Sequence, residues 1–290
     1  KVIKELGEVI IHGVALKPGK PTILGMIKGK PVIGIPGYPV SAYLVFETFA
    51  KPLILNFIGL KEEKDLFATA TTSKKIVSSL KNKELVRVNL GFVGDKLIAT
   101  PLSGGAGVTM SLVKADGIAM IPQSLEGVEA GGSVDVKLLK PLNQIKETLV
   151  SIGSHDIIMD IVGDMIKLTS SHVGSMGGIL AMRRGECHIS PIHLLDLETG
   201  EYNISYVKRY FSGEKMAIIK GVKRHQGFIV EKGNPKNIKN FTDLTRDDIV
   251  YVNRQRGAGT RILLDYHLSK QGIDISSIKG YDREMTTHMA

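Results

Sequence analysis

The apolar residues of this 290-residue chain change their spacing twice, and no single fold accommodates all three patterns. Over residues 1–62, short alternating runs at 8–12, 22–27 and 31–35 lead into a helical pattern from 40 to 57, the end of a strand-and-helix unit. A charged joint, Glu62-Glu63-Lys64-Asp65, follows. Residues 66–141 hold β-rich runs at 66–72, 84–90, 96–101 and 133–138, divided by glycine turns and interrupted by one helix-like piece at 107–115. That is the pattern of a small β-barrel. A second linker, Pro141-Leu142-Asn143-Gln144, precedes renewed alternation: a strand at 148–152 runs into a helix ending at 167, and a strand at 167–170 into a helix at 176–184. The expectation is an α/β multidomain chain with domains at 1–62, 63–142 and 143–290.

Two turns in the first block read as a floor for an anion. Lys17-Pro18-Gly19-Lys20-Pro21 sets two cations in a proline-glycine loop, and Pro36-Gly37-Tyr38-Pro39-Val40-Ser41 closes a short strand just where a helix begins. Proline fixes φ and glycine permits positive φ, so both turns hold their backbone amides in place before a ligand arrives. Lys17 and Lys20 supply charge, and the amides near Val40 and Ser41 supply a helix N-terminus. A phosphate or carboxylate is the natural occupant.

These motifs, in this order and spacing, resemble the molybdopterin molybdenumtransferase family, MoeA and the matching domain of gephyrin. The resemblance implies that residues 1–62 are the C-terminal part of a three-layer, MogA-like α/β domain holding the phosphate end of a pterin dithiolene. It implies a transferase that inserts molybdate, or tungstate, into adenylylated molybdopterin, with Mg among the ions involved, acting as a homodimer. Lys17, Pro18, Gly19, Lys20, Pro21, Pro36, Gly37, Tyr38, Pro39 and Ser41 then belong to the pterin site. Tyr38 departs from the pattern, which has Asn there, and exchanges an amide for a ring that could stack on a ligand. The family's Gly-Gly-Val-Ser-Val-Gly-Asp-type loop, with its acidic residue, would precede Lys1. The chain is therefore expected to be cut at both ends, inactive alone and without assignable catalytic residues. Within the barrel, Ser103-Gly104-Gly105-Ala106-Gly107-Val108 and Ala115-Asp116-Gly117-Ile118 match family turns and are read as structural, with a ligand contact at the rim as a further role.

The third block resembles the periplasmic-binding-protein-like domain fused to some of these transferases and related to LysR-type effector domains. The residues that carry this are Ser151-Ile152-Gly153-Ser154-His155-Asp156, Gly174-Ser175-Met176-Gly177-Gly178, Arg224-His225-Gln226-Gly227 and Asn253 through Arg261. A tetrahedral dianion needs converging donors, and Ser154, Ser175 and Thr260 each fall at an expected helix start, with Arg224 or Arg261 to neutralise charge. Helix capping alone would place the same residues there. The second lobe is expected to start near Arg224 and to be incomplete, the chain ending as a further helix starts.

Composition narrows the alternatives. No apolar run of about 18 residues exists, so nothing is expected to span a membrane. The lone Cys187 permits no intramolecular disulfide and fits a reducing cytoplasm, and His155, His193 and His225 lack zinc spacing, so no metal ligand set is expected. A net charge of +9 raises nucleic acid as a partner, but the basic residues are dispersed and aromatics make up only 6%, so small anions are favoured. The rival to an enzyme is a sensor of molybdate or tungstate without catalysis.

Overall fold

The computed structural model describes residues 2–61, 64–102, 104 and 109–285. It divides into a unit of residues 1–191 and a unit of 192–290. The first opens with a helix, Val2–Leu6, and an antiparallel sheet of β1 (Glu8–His12), β3 (Ile23–Ile27) and β4 (Lys30–Gly34), β3 in the centre. Between β1 and β3, the short β2 (Leu16–Lys17) leaves this sheet and pairs in parallel with a barrel strand. After β4 the chain stays helical from 39 to 57, as Pro39–Val45, a π-helical turn Phe46–Ala50 and Lys51–Phe57. Pro52 has no amide hydrogen to donate to the helix ladder, and the π turn lies just before it.

Five strands close the barrel: β5 (Phe67–Thr72), β7 (Lys83–Val93), β8 (Lys96–Pro101), β9 (Gly117–Ile121) and β11 (Ser133–Leu138) pair in the ring β7-β8-β5-β11-β9 and back to β7. A side ladder of β6 (Ile76–Val77) and β10 (Gly127–Val128) accompanies it. Alternation builds the interior. Along β11, Val134 and Val136 point into a core with Ala70, Val88, Leu90, Leu97, Ala99, Ala119 and Ile121, while Ser133 and Asp135 are exposed. Asp116, read in the sequence as part of a turn, ties the barrel together: its carboxylate accepts from the Leu90 amide at 3.0 Å and from Lys140 Nζ at 2.8 Å. Residues 117–121, beyond that turn, form a buried strand the sequence pattern did not announce. Of the glycine-rich loop at 103–108, only Gly104 lies within the described residues, as do only Thr109–Lys114 of the expected helix.

Barrel strand β8 is buried on both faces. Leu97 and Ala99 face the barrel core, and Ile98 faces outward into a second core with Val150, Ile152, Ala181 and Cys187. That second core belongs to a parallel pair, β12 (Leu149–Gly153) and β13 (Leu168–His172), with the helices Ile157–Met165 and Gly174–Arg183. Residues 186–190 add only an isolated bridge, from Ile189 to Ser151. Residues 143–191 thus pack with the barrel in one compact unit that ends at Pro191. The reason is shared apolar burial, which no linker composition reveals.

The second unit has its own core of Leu244, Ile249, Leu264, Leu268, Ile278 and Tyr281. It contains the helices Ile204–Tyr210 and Gly259–Lys270 and a parallel pair, β14 (Asn253–Arg254) and β15 (Glu284–Met285). Where a new helix was expected to start, β15 lies instead, and residues 286–290 fall outside the described ones.

Candidate functional site

The first candidate is the loop at 17–21. Its ends are pinned: the Val14 amide donates to Lys20 O at 2.9 Å, and the buried Thr22 donates to Gly19 O from both its amide (3.1 Å) and its hydroxyl (2.6 Å). Lys17 lies in β2 opposite Glu84 of β7 and pairs with that carboxylate at 3.0 Å, while its side chain stays more than half exposed. Lys20 and Pro21 are exposed, and the Lys17–Pro18 peptide is cis. Gly19 has φ +130°, and a Cβ there would meet Val45 Cγ2 at 3.1 Å. The loop therefore lies directly on the helix that follows the second turn. In that turn Gly37, Tyr38 and Pro39 are exposed, Pro36 is half-buried and Ser41 is buried. The Tyr38 carbonyl accepts from the Ala42 amide at 2.8 Å to start the helix, leaving its ring largely in solvent. The first turn thus packs on Val45, at the end of the helix Pro39–Val45 that the second turn starts.

The second candidate is the carboxyl edge of β12 and β13, where parallel sheets present ligands to helix N-termini. In register, Gly153 stands opposite His172, and the Val173 amide donates to Gly153 O at 2.9 Å, so the turns carrying Ser154 and Ser175 are neighbours. Both serines are buried. Neither is a helix cap. Asp156 caps the first helix by accepting from the Ile158 amide at 3.0 Å, and the second helix, with Val173 at its N-cap, has no side-chain cap bond. Close approach here requires glycine at two places: a Cβ on Gly153 would sit 2.5 Å from Pro191 O, and one on Gly178 would sit 2.2 Å from Ser190 Oγ and 2.8 Å from Gly153 Cα. At the same edge stand His155 and His172, with Nδ1 and Nε2 3.3 Å apart, and Ser170 Oγ lies 3.2 Å from His172 Nε2. Sequence reasoning singled out Ser154 and Ser175 there and passed over Ser170 and His172. The signal was the register of two parallel strands, which places 155 beside 172.

The second unit holds the remaining expected residues. Thr260 is half-buried in the first turn of the helix Gly259–Lys270, whose N-cap, Ala258, has no side-chain cap bond, and Arg224 is exposed in an irregular segment. Arg261 is buried and already neutralised. Its guanidinium bonds Glu284 Oε1 at 2.5 Å, lies 3.7 Å from Asp265 Oδ2 and stacks 4.6 Å from the Tyr281 ring centroid, while Tyr281 donates to Asp265 at 2.7 Å. A cleft of about 440 Å³ opens beside it, lined by Arg256, Gly257, Asp265, Ser276, Tyr281 and Asp282 among others. Arg261 thus already has two carboxylates beside it. Among the described residues no group of three or more His, Cys, Asp or Glu side chains could hold a metal ion, and no helix is long and apolar enough to cross a membrane.

Three family models match successive stretches of the chain. Residues 1–56 match the family model described as "Probable molybdopterin binding domain", residues 69–139 match "MoeA C-terminal region (domain IV)", and residues 163–290 match "PBP superfamily domain". In order along the chain, these matches resemble the C-terminal part of a MoeA-type protein followed by a PBP-superfamily domain. It is 40% identical over 147 residues to uncharacterized protein YvgK of Bacillus subtilis, covering 49% of this chain and 48% of that one. To the molybdopterin molybdenumtransferase of the same organism it is 29% identical over 145 residues, 49% of this chain and 34% of that one. The solved MoeA molybdopterin biosynthesis protein from Pyrococcus horikosii is 41% identical over 48% of this chain and 34% of that one, with a TM-score of 0.40. The chain thus spans between a third and a half of the length of these proteins.

Proposed function

We propose that this chain serves molybdenum cofactor biosynthesis, contributing part of a molybdopterin site and an oxyanion site. The phosphate end of the pterin would rest between Lys17–Pro21 and Pro36–Ser41, with Lys17 and Lys20 as charged donors and Tyr38 as a stacking surface. The observation that supports this is the packing of Gly19 on Val45, in the helix that the second turn starts. The family match over residues 1–56 and the names of the relatives support the same ligand. The reaction we assign to the complete protein is insertion of molybdate or tungstate into adenylylated molybdopterin in the cytoplasm by a homodimer. Its test is molybdate-dependent AMP release by the complete protein, compared with the variant carrying Lys17→Ala and Lys20→Ala. AMP release that the double variant leaves unchanged rules out this pterin site.

The oxyanion would bind at the carboxyl edge of β12 and β13, through the hydroxyls and amides of Ser154 and Ser175. Within the second unit by itself, Thr260 and Arg224 are candidate anion donors. Two buried serines beside neighbouring helix starts support this reading. The PBP-superfamily match favours one alternative, a molybdate or tungstate sensor without catalysis. Tight molybdate binding by a complete protein that releases no AMP would select the sensor.

A further inference from the structure

Strand β2 sets the first lysine of the loop at 17–21 against the barrel. It pairs in parallel with β7, Leu16 opposite Lys83 and Lys17 opposite Glu84. The Lys83 amide donates to Ala15 O at 2.9 Å and Leu16 is buried, so the backbone that carries Lys17 is fixed on the barrel wall. The side chains follow. Lys17 Nζ lies 3.0 Å from Glu84 Oε1, with the lysine side chain 55% exposed and that of the glutamate only 15%. Glu84 Oε2 is buried and, among the described residues, has no hydrogen-bond partner. The carboxylate therefore depends on Lys17: if the ammonium swung away, a largely buried charge would be left unpaired. A lysine stem on its own samples many rotamers, and giving them up on binding costs affinity. Held by Glu84, the ammonium has lost that freedom before a ligand arrives. Of its three hydrogens, one on the carboxylate leaves two for an anion. A pair whose lysine is this open adds little to stability, so its main effect is on where the charge of Lys17 stands.

We propose that Glu84 is a positioning residue of the pterin phosphate site: the barrel supplies the carboxylate that holds Lys17 Nζ where it meets the ligand. The proposal rests on the reading of Lys17 and Lys20 as phosphate donors given above. It makes the site a joint product of two matched stretches, since Lys17 falls in the one at 1–56 and Glu84 in the one at 69–139. The carboxylate also opposes an anionic ligand by its charge. Position and charge can be parted by substitution. Glu84→Gln keeps an oxygen for the ammonium and removes the charge, while Glu84→Ala removes both.

The test is equilibrium binding of molybdopterin to the 290-residue chain, for the wild type, Glu84→Gln and Glu84→Ala, each repeated with Lys17→Ala or with Lys20→Ala. Because both substitutions remove the charge, the difference between them reads position alone. Glu84→Ala should bind about three- to tenfold more weakly than Glu84→Gln. That gap should close in the Lys17→Ala background and persist in the Lys20→Ala background. Thermal unfolding checks that each variant is folded, and Glu84→Ser takes the place of Glu84→Ala if the latter is not. Equal binding by the glutamine and alanine variants overturns the positioning role. So does a gap that survives Lys17→Ala, because Glu84 would then act on the barrel and not through the lysine. A wild type that binds no molybdopterin, or lysine variants that bind as the wild type does, overturns the phosphate reading of the loop and the role of Glu84 with it.

Discussion

A methyl group on Gly91 would lie 2.5 Å from Val150 Cγ2, so this barrel strand and the first strand of the appended segment touch where only a glycine fits. The contact converts two sequence blocks into one packed body. Gly91→Ala must push β12 away from β7 or displace Val150, and overpacking of this kind costs about 1–3 kcal/mol. Urea unfolding of the whole chain should show that loss. A neutral substitution would mean the two strands are not seated on one another.

Lys17 and Lys20 should separate binding from folding. The Lys17–Glu84 pair is largely exposed on the lysine side, so its removal should cost less than about 1 kcal/mol of stability. If both lysines contact the pterin phosphate, the double alanine variant should lose about 2–4 kcal/mol of molybdopterin affinity. Equilibrium binding and thermal unfolding, measured on the same sample, check both halves.

Arg261 should behave in the opposite way. Its guanidinium is almost fully buried against Glu284, Asp265 and Tyr281. Because both carboxylates keep some access to water, Arg261→Met should destabilise the second unit by about 1–3 kcal/mol, below the range for a fully buried pair. Molybdate affinity should change little. A large loss of affinity with unchanged stability would restore it as an anion ligand.

Burial pushes the Cys187 thiol from 9.0 up to about 12. The folded state thus favours the neutral thiol, and the stability this contributes is complete below about pH 9 and fades as pH rises toward 12. Iodoacetamide at about pH 8 should leave the native chain unlabelled and modify it on unfolding. Fast labelling of the native chain would contradict the burial.

Much of this was legible in the residues. Period-2 alternation located the β-runs at 96–101 and 133–138 to the residue, and proline-glycine punctuation located both turns of the first site. What the residues hid was pairing across distance. Leu16 and Lys17 join the barrel because their backbone finds β7, not because of any pattern of their own. Gly117–Ile121 is buried at every position but Met120 and lacks the alternation that would mark it. His172 became a candidate only when the register placed it beside His155, and Arg261, which resembles an anion ligand in sequence, was matched by Glu284 from 23 residues away.

Ile98 has the barrel on one side of its strand and the appended segment on the other. A gene break at the Pro141–Gln144 linker would strip the cover from Ile98, Val150 and Ile152 at once, leaving both fragments with a sticky apolar scar. A break near Pro191 would instead leave that shared core whole.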